Sequence, residues 1–157
     1  MRRGFHITPK EETRVLVLKK LLNETWLVTV HRGKYWLDGI ALLRSPLRRL
    51  SSSIMELKYY GEIRIVLIDN VPLDNAFLEN LSEELKLPVI LFMDNGIIHP
   101  IRLPKEVAEL LIRRLSINEI PEPIRISRII SRALSSLLEF EIGGRNLGNE
   151  RLHSHHL

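Results

Sequence analysis

Two aspartates stand where carboxylate chemistry is most easily built. Asp69 ends the run Ile63 to Ile68 (IRIVLI), and Asp94 follows Pro88 to Met93 (PVILFM). Such runs read as strands buried on both faces. In open α/β sheets, ligands gather beyond the carboxyl ends of these strands. Two carboxylates there are the start of a Mg²⁺ site, since Mg²⁺ takes one or two carboxylates plus water and phosphate oxygens. The ion activates water and offsets charge developing on a phosphate. A third run, Arg14 to Leu18 (RVLVL), ends instead in Lys19 and Lys20. Strand alternation turns one of the two toward the space that Asp69 faces. An ammonium ~6 Å from a divalent ion costs on the order of 5 kcal/mol at an effective dielectric constant of ~20, enough to abolish an ordinary Mg²⁺ site. A Lys–Asp69 ion pair in an inactive cleft is the simpler expectation. Two other readings of Asp69 stay open: a turn residue of an Asp-Asn pair, or a working catalytic acid.

Other chemistries find little support. The chain has no Cys, which excludes disulfides, thiolate metal sites and thiol nucleophiles. His6, His31 and His99 are isolated, and His153, His155 and His156 cluster in the tail, where metal capture is adventitious. No metal site or cofactor is expected, except Mg²⁺ if a nuclease activity survives. There is no Gly-x-Gly-x-x-Gly or Walker-type loop, and Ser51-Ser52-Ser53 lacks a nucleophile elbow.

The elements that would position these residues follow from periodicity. Arg14–Leu18, Trp26–His31 and Tyr35–Leu43 read as three strands joined by short turns, with Gly33 in the second turn and Gly39 at a bulge. A helix is expected over 46–58, with Ser45 as cap and Leu47, Leu50, Ile54 and Leu57 inward. Strand 63–68 follows, then a helix opening at Pro72, then strand 88–93 and a helix over 104–115. A last helix opens after Pro121 and Pro123, with Ile126, Ile129, Ile130, Ala133, Leu134 and Leu137 on its inner face. The order β-β-β-α-β-α-β-α-α predicts an α/β fold with right-handed parallel crossovers. Its pattern is RNase H-like: a five-stranded mixed sheet of order 3-2-1-4-5 with helices on both faces. One domain over 13–142 is expected, between a polar lead-in at 1–12 and a flexible tail at 143–157.

The 157 residues carry a net charge of +4, unevenly spread. Residues 1–58 hold 12 Lys and Arg against 5 Asp and Glu, a net of +7. Residues 59–100 are acidic at −5, and 101–157 return to +2. A basic first third suits a polyanion partner, although solvated surface charge explains it equally well. No apolar run approaches ~20 residues, so no membrane helix is expected. With no secretory signal, a cytoplasmic protein is expected. Absence of Gln points to a high growth temperature, against which stand eleven Asn and Met residues together.

Three stretches together resemble an archaeal family, the domain of unknown function 99 family, related to endonuclease V. They are Arg32–Ile40 (RGKYWLDGI) with Asp38 and Gly39, Ile63–Val89, and Pro121-Glu122-Pro123-Ile124-Arg125. Their order covers most of residues 13–139, and the resemblance implies the same RNase H-like fold. It also implies a metal-dependent nuclease site, but this chain departs from it. Lys19-Lys20-Leu21 stands where the family carries Asp-Asp-Gly. Ser45-Pro46-Leu47-Arg48-Arg49 replaces an acidic segment, and Asn70 replaces the Gly after the acid that Asp69 keeps.

Three functions follow as expectations. The first is a catalytically degenerate relative that binds nucleic acid, with Lys19, Lys20, Arg48 and Arg49 on phosphates and Trp36, Tyr59 or Tyr60 on bases. In that reading Asp69 and Asp94 are vestigial. Arg48 and Arg49 alternatively form the solvent face of a helix. Arg125, Arg128 and Arg132 make another basic row, or else offset Glu122. The second is a nuclease with a rebuilt site of Asp69, Asp94 and Asp38 or Glu122. The third is an assembly module, pairing through edge strand 35–43 and the Ile-rich last helix with a protein partner or a second copy.

Overall fold

The computed structural model describes residues 4–5 and 12–137. Residues 1–3, 6–11 with His6, and 138–157 with their three histidines lie outside the described residues. The sheet has six strands in the order β3-β2-β1-β4-β5-β6. They are β1 Arg14–Lys20, β2 Thr25–Arg32, β3 Trp36–Arg44, β4 Ile65–Asp69, β5 Val89–Phe92 and β6 Ile98–Ile101. The first three form the expected antiparallel meander, while β4 pairs parallel with both β1 and β5.

Strand β6 corrects the expected count of five. It pairs antiparallel with β5 through a turn in which Gly96 has φ of 83°. Met93 and Gly96 close that turn, with the Gly96 N–H donating to the Met93 carbonyl at 2.9 Å. Pro100 is tolerated because β6 is an edge strand.

The parity of the strands defines two cores. Leu16, Leu18, Val28, Val66 and Ile68 face one side, where helices α1 (Leu50–Met55) and α2 (Asn75–Leu85) contribute Leu50, Ile54, Leu78, Leu81 and Leu85. Val15, Val17, Ile65, Leu67 and Ile90 face the other side. There they meet Ala108, Leu111 and Leu115 of α3 (Lys105–Leu115) and Ile124 of α4, which occupies 122–137.

Three helices differ from expectation in ways with physical causes. The 46–58 helix shrinks to α1, preceded by a single 3-10 turn at Leu47–Arg49, and no side chain caps either. The Ser45 hydroxyl instead donates to the Pro46 carbonyl and accepts from Ser53, and Leu47 is exposed. Helix α2 opens three residues after Pro72, where Asp74 caps it by accepting the Phe77 N–H at 2.7 Å.

Helix α4 is rotated from the expected face. Ile124, Ser127 and Ser131 are buried, and Ile126, Ile130 and Leu134 are half-buried. Ile129 and Leu137 are 45% and 61% exposed, and Ala133 is also exposed. Pro121 precedes the helix and Pro123 sits in its first turn, where a missing N–H costs nothing.

Candidate functional site

The carboxyl ends of β1, β4 and β5 come together, as the sequence expectation required, but a guanidinium fills the space between them. Lys19 and Asp69 are directly in register across β1 and β4, and Asp69 is in register with Phe92 across β5. Asp69 shares the parity of Ile65 and Leu67, so it faces the α3 and α4 side. It is 0% exposed. Arg128 of α4 grips it with two parallel bonds, Nε to Oδ2 at 2.8 Å and Nη2 to Oδ1 at 2.7 Å. This fork-on-carboxylate geometry is the strongest charge-assisted pairing available to protein side chains. Lys19 Nζ lies 3.5 Å from the same Oδ2.

Asp94 completes the cluster from the β5–β6 turn. Its Oδ1 accepts from Arg128 Nη2 at 3.0 Å and its Oδ2 from Asn70 Nδ2 at 2.8 Å. The Asp94 N–H returns a bond to Asn70 Oδ1 at 3.2 Å. Asn70 has φ of 45°, a left-handed conformation that Asn tolerates better than most residues. Hydrogen bonding to Asp69 raises the pKa of Arg128 further, so the guanidinium stays charged.

These residues do not suit a divalent ion. Both Asp69 oxygens are engaged by Arg128, a second cation approaches one of them, and Asp94 shares the same guanidinium. Among the described residues, no group of three or more His, Asp or Glu side chains is arranged to hold a metal. The other acids proposed for a rebuilt site lie elsewhere. Asp38 is four residues along β3 from Leu42, the position in register with Lys19 through Leu27, and it pairs with Arg32 and Arg14. Glu122 is held by Arg125 at 2.7 and 2.8 Å, which keeps its carboxyl below the ordinary range.

The remaining sequence candidates divide in the same way. Lys20 turns to the opposite face from Lys19 and lies 5.9 Å from the Trp26 ring centroid. Arg44, Arg48 and Arg49 are exposed at the same end of the sheet, since Arg44 is in register with Thr25 and Lys20 with Trp26. Lys20, Arg44, Arg48 and Arg49 have no carboxylate partner among the described residues. Tyr59 and Tyr60 are not free to stack on bases, because both pack against the first core. The Tyr60 hydroxyl donates to the Leu85 carbonyl, and Tyr59 lies against Gly39. A Cβ on Gly39 would fall 2.2 Å from the Tyr59 hydroxyl, so this glycine serves close approach. The β2–β3 register slips beside it, leaving Asp38 without a cross-strand partner. Trp36 is exposed but stands at the opposite end of β3 from Arg44.

Sequence reasoning groups Arg128 with Arg125 and Arg132, as a basic row or as an offset to Glu122, and does not find its bond to Asp69.

No family model matches the chain, and no curated protein matches it. No helix among the described residues is long and apolar enough to cross a membrane. Among solved structures, the chain is similar to the crystal structure of a protein of unknown function from Archaeoglobus fulgidus DSM 4304. The TM-score is 0.64 at 17% identity, over 78% of this chain and 98% of that one. At that identity the likeness concerns the fold alone, and the chain shares an α/β architecture with that archaeal protein.

Proposed function

We propose that this chain is a noncatalytic, RNase H-like relative of endonuclease V that binds a nucleic-acid phosphate backbone at the carboxyl end of its sheet. The observation that carries the reading is the bidentate hold of Arg128 on Asp69. It puts positive charge where a nuclease of this kind needs a metal, and both Asp69 oxygens are already engaged by that charge. Lys20, Arg44, Arg48 and Arg49 then offer exposed cations at the same end. Each phosphate they neutralise releases counterions, which makes binding salt-dependent.

Filter binding to single- and double-stranded DNA and RNA at two salt concentrations tests this. Affinity tighter than about 100 μM at low salt is expected, with log K falling by roughly 2 to 4 per decade of salt. The Arg48→Ala/Arg49→Ala pair should reduce that slope by about 2 on duplex. Absence of salt-dependent binding in that range overturns the binding role. Incubation with Mg²⁺ or Mn²⁺ and deaminated or flap substrates tests the noncatalytic half. Cleavage that disappears in Asp69→Ala would restore the nuclease reading.

A second reading, an assembly module, draws on the rotation of α4. Ile129 and Leu137 on α4, with Ile40 and Leu42 on edge strand β3, are large exposed apolar side chains. Exposed apolar surface of this kind marks interaction sites when contiguous. Sedimentation velocity should then give an oligomer that Ile129→Asp converts to monomer. A monomer at all concentrations removes this reading.

A further inference from the structure

At the end of the sheet opposite Asp69, the β2–β3 hairpin and the last turn of α3 enclose a pocket that neither reading above uses. Its volume is about 380 Å³, and Glu12, Arg32, Lys34, Tyr35, Trp36 and Arg114 line it. That size falls at the small-ligand end of protein binding pockets.

Two features of the lining are unusual together. The first is aromatic exposure. Tyr35 is 70% and Trp36 60% exposed, on adjacent residues of one hairpin. Each has a cation near it: Arg32 lies 5.6 Å from the Trp36 centroid, and Lys34 lies 5.3 Å from the Tyr35 centroid. Such exposed cation–π contacts are weak, too weak to hold two large rings against a better partner. The second feature is uncompensated charge. Arg32 is neutralised by Asp38, with Nε 3.1 Å from both carboxylate oxygens. Lys34 and Arg114 have no carboxylate partner among the described residues, and Glu12 is the one acid in the lining. The pocket thus combines flat aromatic surface with two free cations.

We propose that this pocket binds a nucleotide, with the base against Trp36 or Tyr35 and the phosphate on Lys34 and Arg114. Aromatic faces accept any base, because every base has a π-face to stack on them. A phosphate carries the charge that Lys34 and Arg114 lack a partner for, and Arg suits its geometry. Neither an apolar ligand nor a bare anion uses both features. The same chemistry is presented by a free nucleoside monophosphate and by one nucleotide of a single strand.

The chain has two tryptophans, Trp26 buried and Trp36 exposed, so their indole N–H resonances report separately. A ¹H–¹⁵N titration of the full chain would use adenosine monophosphate, adenosine, inorganic phosphate and a tetra-adenylate strand. Trp36→Phe assigns the exposed resonance. The Trp36 indole should shift saturably with adenosine monophosphate, and at least about tenfold more weakly with adenosine or phosphate alone. Lys34→Ala and Arg114→Ala, both surface changes whose folding the same spectrum checks, should each weaken binding at least about fivefold. A strand that binds at least about tenfold tighter than the monophosphate identifies the strand as the source; equal or weaker binding identifies the free nucleotide. No saturable Trp36 shift up to about 10 mM of either overturns the proposal, as do shifts that survive both substitutions. The backbone-binding role of the sheet's other end is read through Arg48 and Arg49, so either assignment can fail alone.

Discussion

Replacing Arg128 with Met is expected to destabilise the protein by about 3–5 kcal/mol, the usual cost of removing one partner from a buried ion pair. The cost arises from what is left behind. Asp69 is 0% exposed, and without the guanidinium its two oxygens lose both short bonds. A buried carboxylate without partners either stays charged at a desolvation penalty or takes up a proton. Lys19, at 3.5 Å and partly exposed, offsets some of this and places the effect toward the lower end. The pair itself adds little relative to an apolar replacement of similar volume, because desolvation opposes its Coulomb attraction. The double variant Asp69→Leu/Arg128→Met should therefore recover most of the loss. Urea denaturation of the two single variants and the double measures the coupling. A loss below about 1 kcal/mol for Arg128→Met would mean that the clamp does not hold Asp69 in solution.

Stability should also fall as pH drops from about 6.5 toward 4, because of His31. This side chain is 1% exposed on β2, its Nε2 2.8 Å from Thr29 Oγ1. Burial pushes its pKa from 6.5 down to about 4, and the nearby Asp38 carboxylate opposes that change in part. The folded chain thus refuses a proton that the unfolded chain accepts below pH 6.5. The stabilising contribution is fully present above pH 6.5 and is lost as pH falls through the folded value. The whole effect is about 3 kcal/mol, since a tenfold difference in proton affinity between the folded and unfolded chain corresponds to about 1.4 kcal/mol. His31→Gln removes the titration while keeping a partner for Thr29. Urea midpoints between pH 7.5 and 4.5 should converge for the two proteins at the acid end. Parallel pH profiles would show that His31 is not the group responsible.

Much of the sheet was legible because its strands differ so clearly in pattern. The runs RVLVL, IRIVLI and PVILFM are continuous, as strands covered on both faces must be, and they became β1, β4 and β5. The short turns between the first three strands required an antiparallel meander. Strand β6 was missed because four residues containing Pro100 carry no periodic signal. Asn95-Gly96 between two apolar segments was the available clue, since that dipeptide favours tight hairpins. The face of α4 was misread for a different reason. Its isoleucines and leucines follow a helical stripe, yet the sheet side takes Ile124, Ser127 and Ser131. A buried Asp69 must meet its cation, and that demand outweighs burial of an extra isoleucine. The small Ser127 and Ser131 take the buried positions on either side of Arg128 along the helix.

The Lys19–Asp69 pair was legible from strand alternation alone. Lys19 faces Asp69 as alternation required, but its ammonium is the looser of two cations there. The closer one comes from 59 residues away along the chain, where no local pattern in the sequence connects it to Asp69.

The carboxyl end of this sheet holds the Arg128 guanidinium between Asp69 and Asp94, in place of a bound cation. Titration of the intact protein with Mn²⁺, followed by the electron paramagnetic resonance signal of the free ion, tests it most directly. No stoichiometric site tighter than about 1 mM is expected, because both Asp69 oxygens are already engaged. One saturable Mn²⁺ site per chain, abolished by Asp69→Asn, would contradict the account.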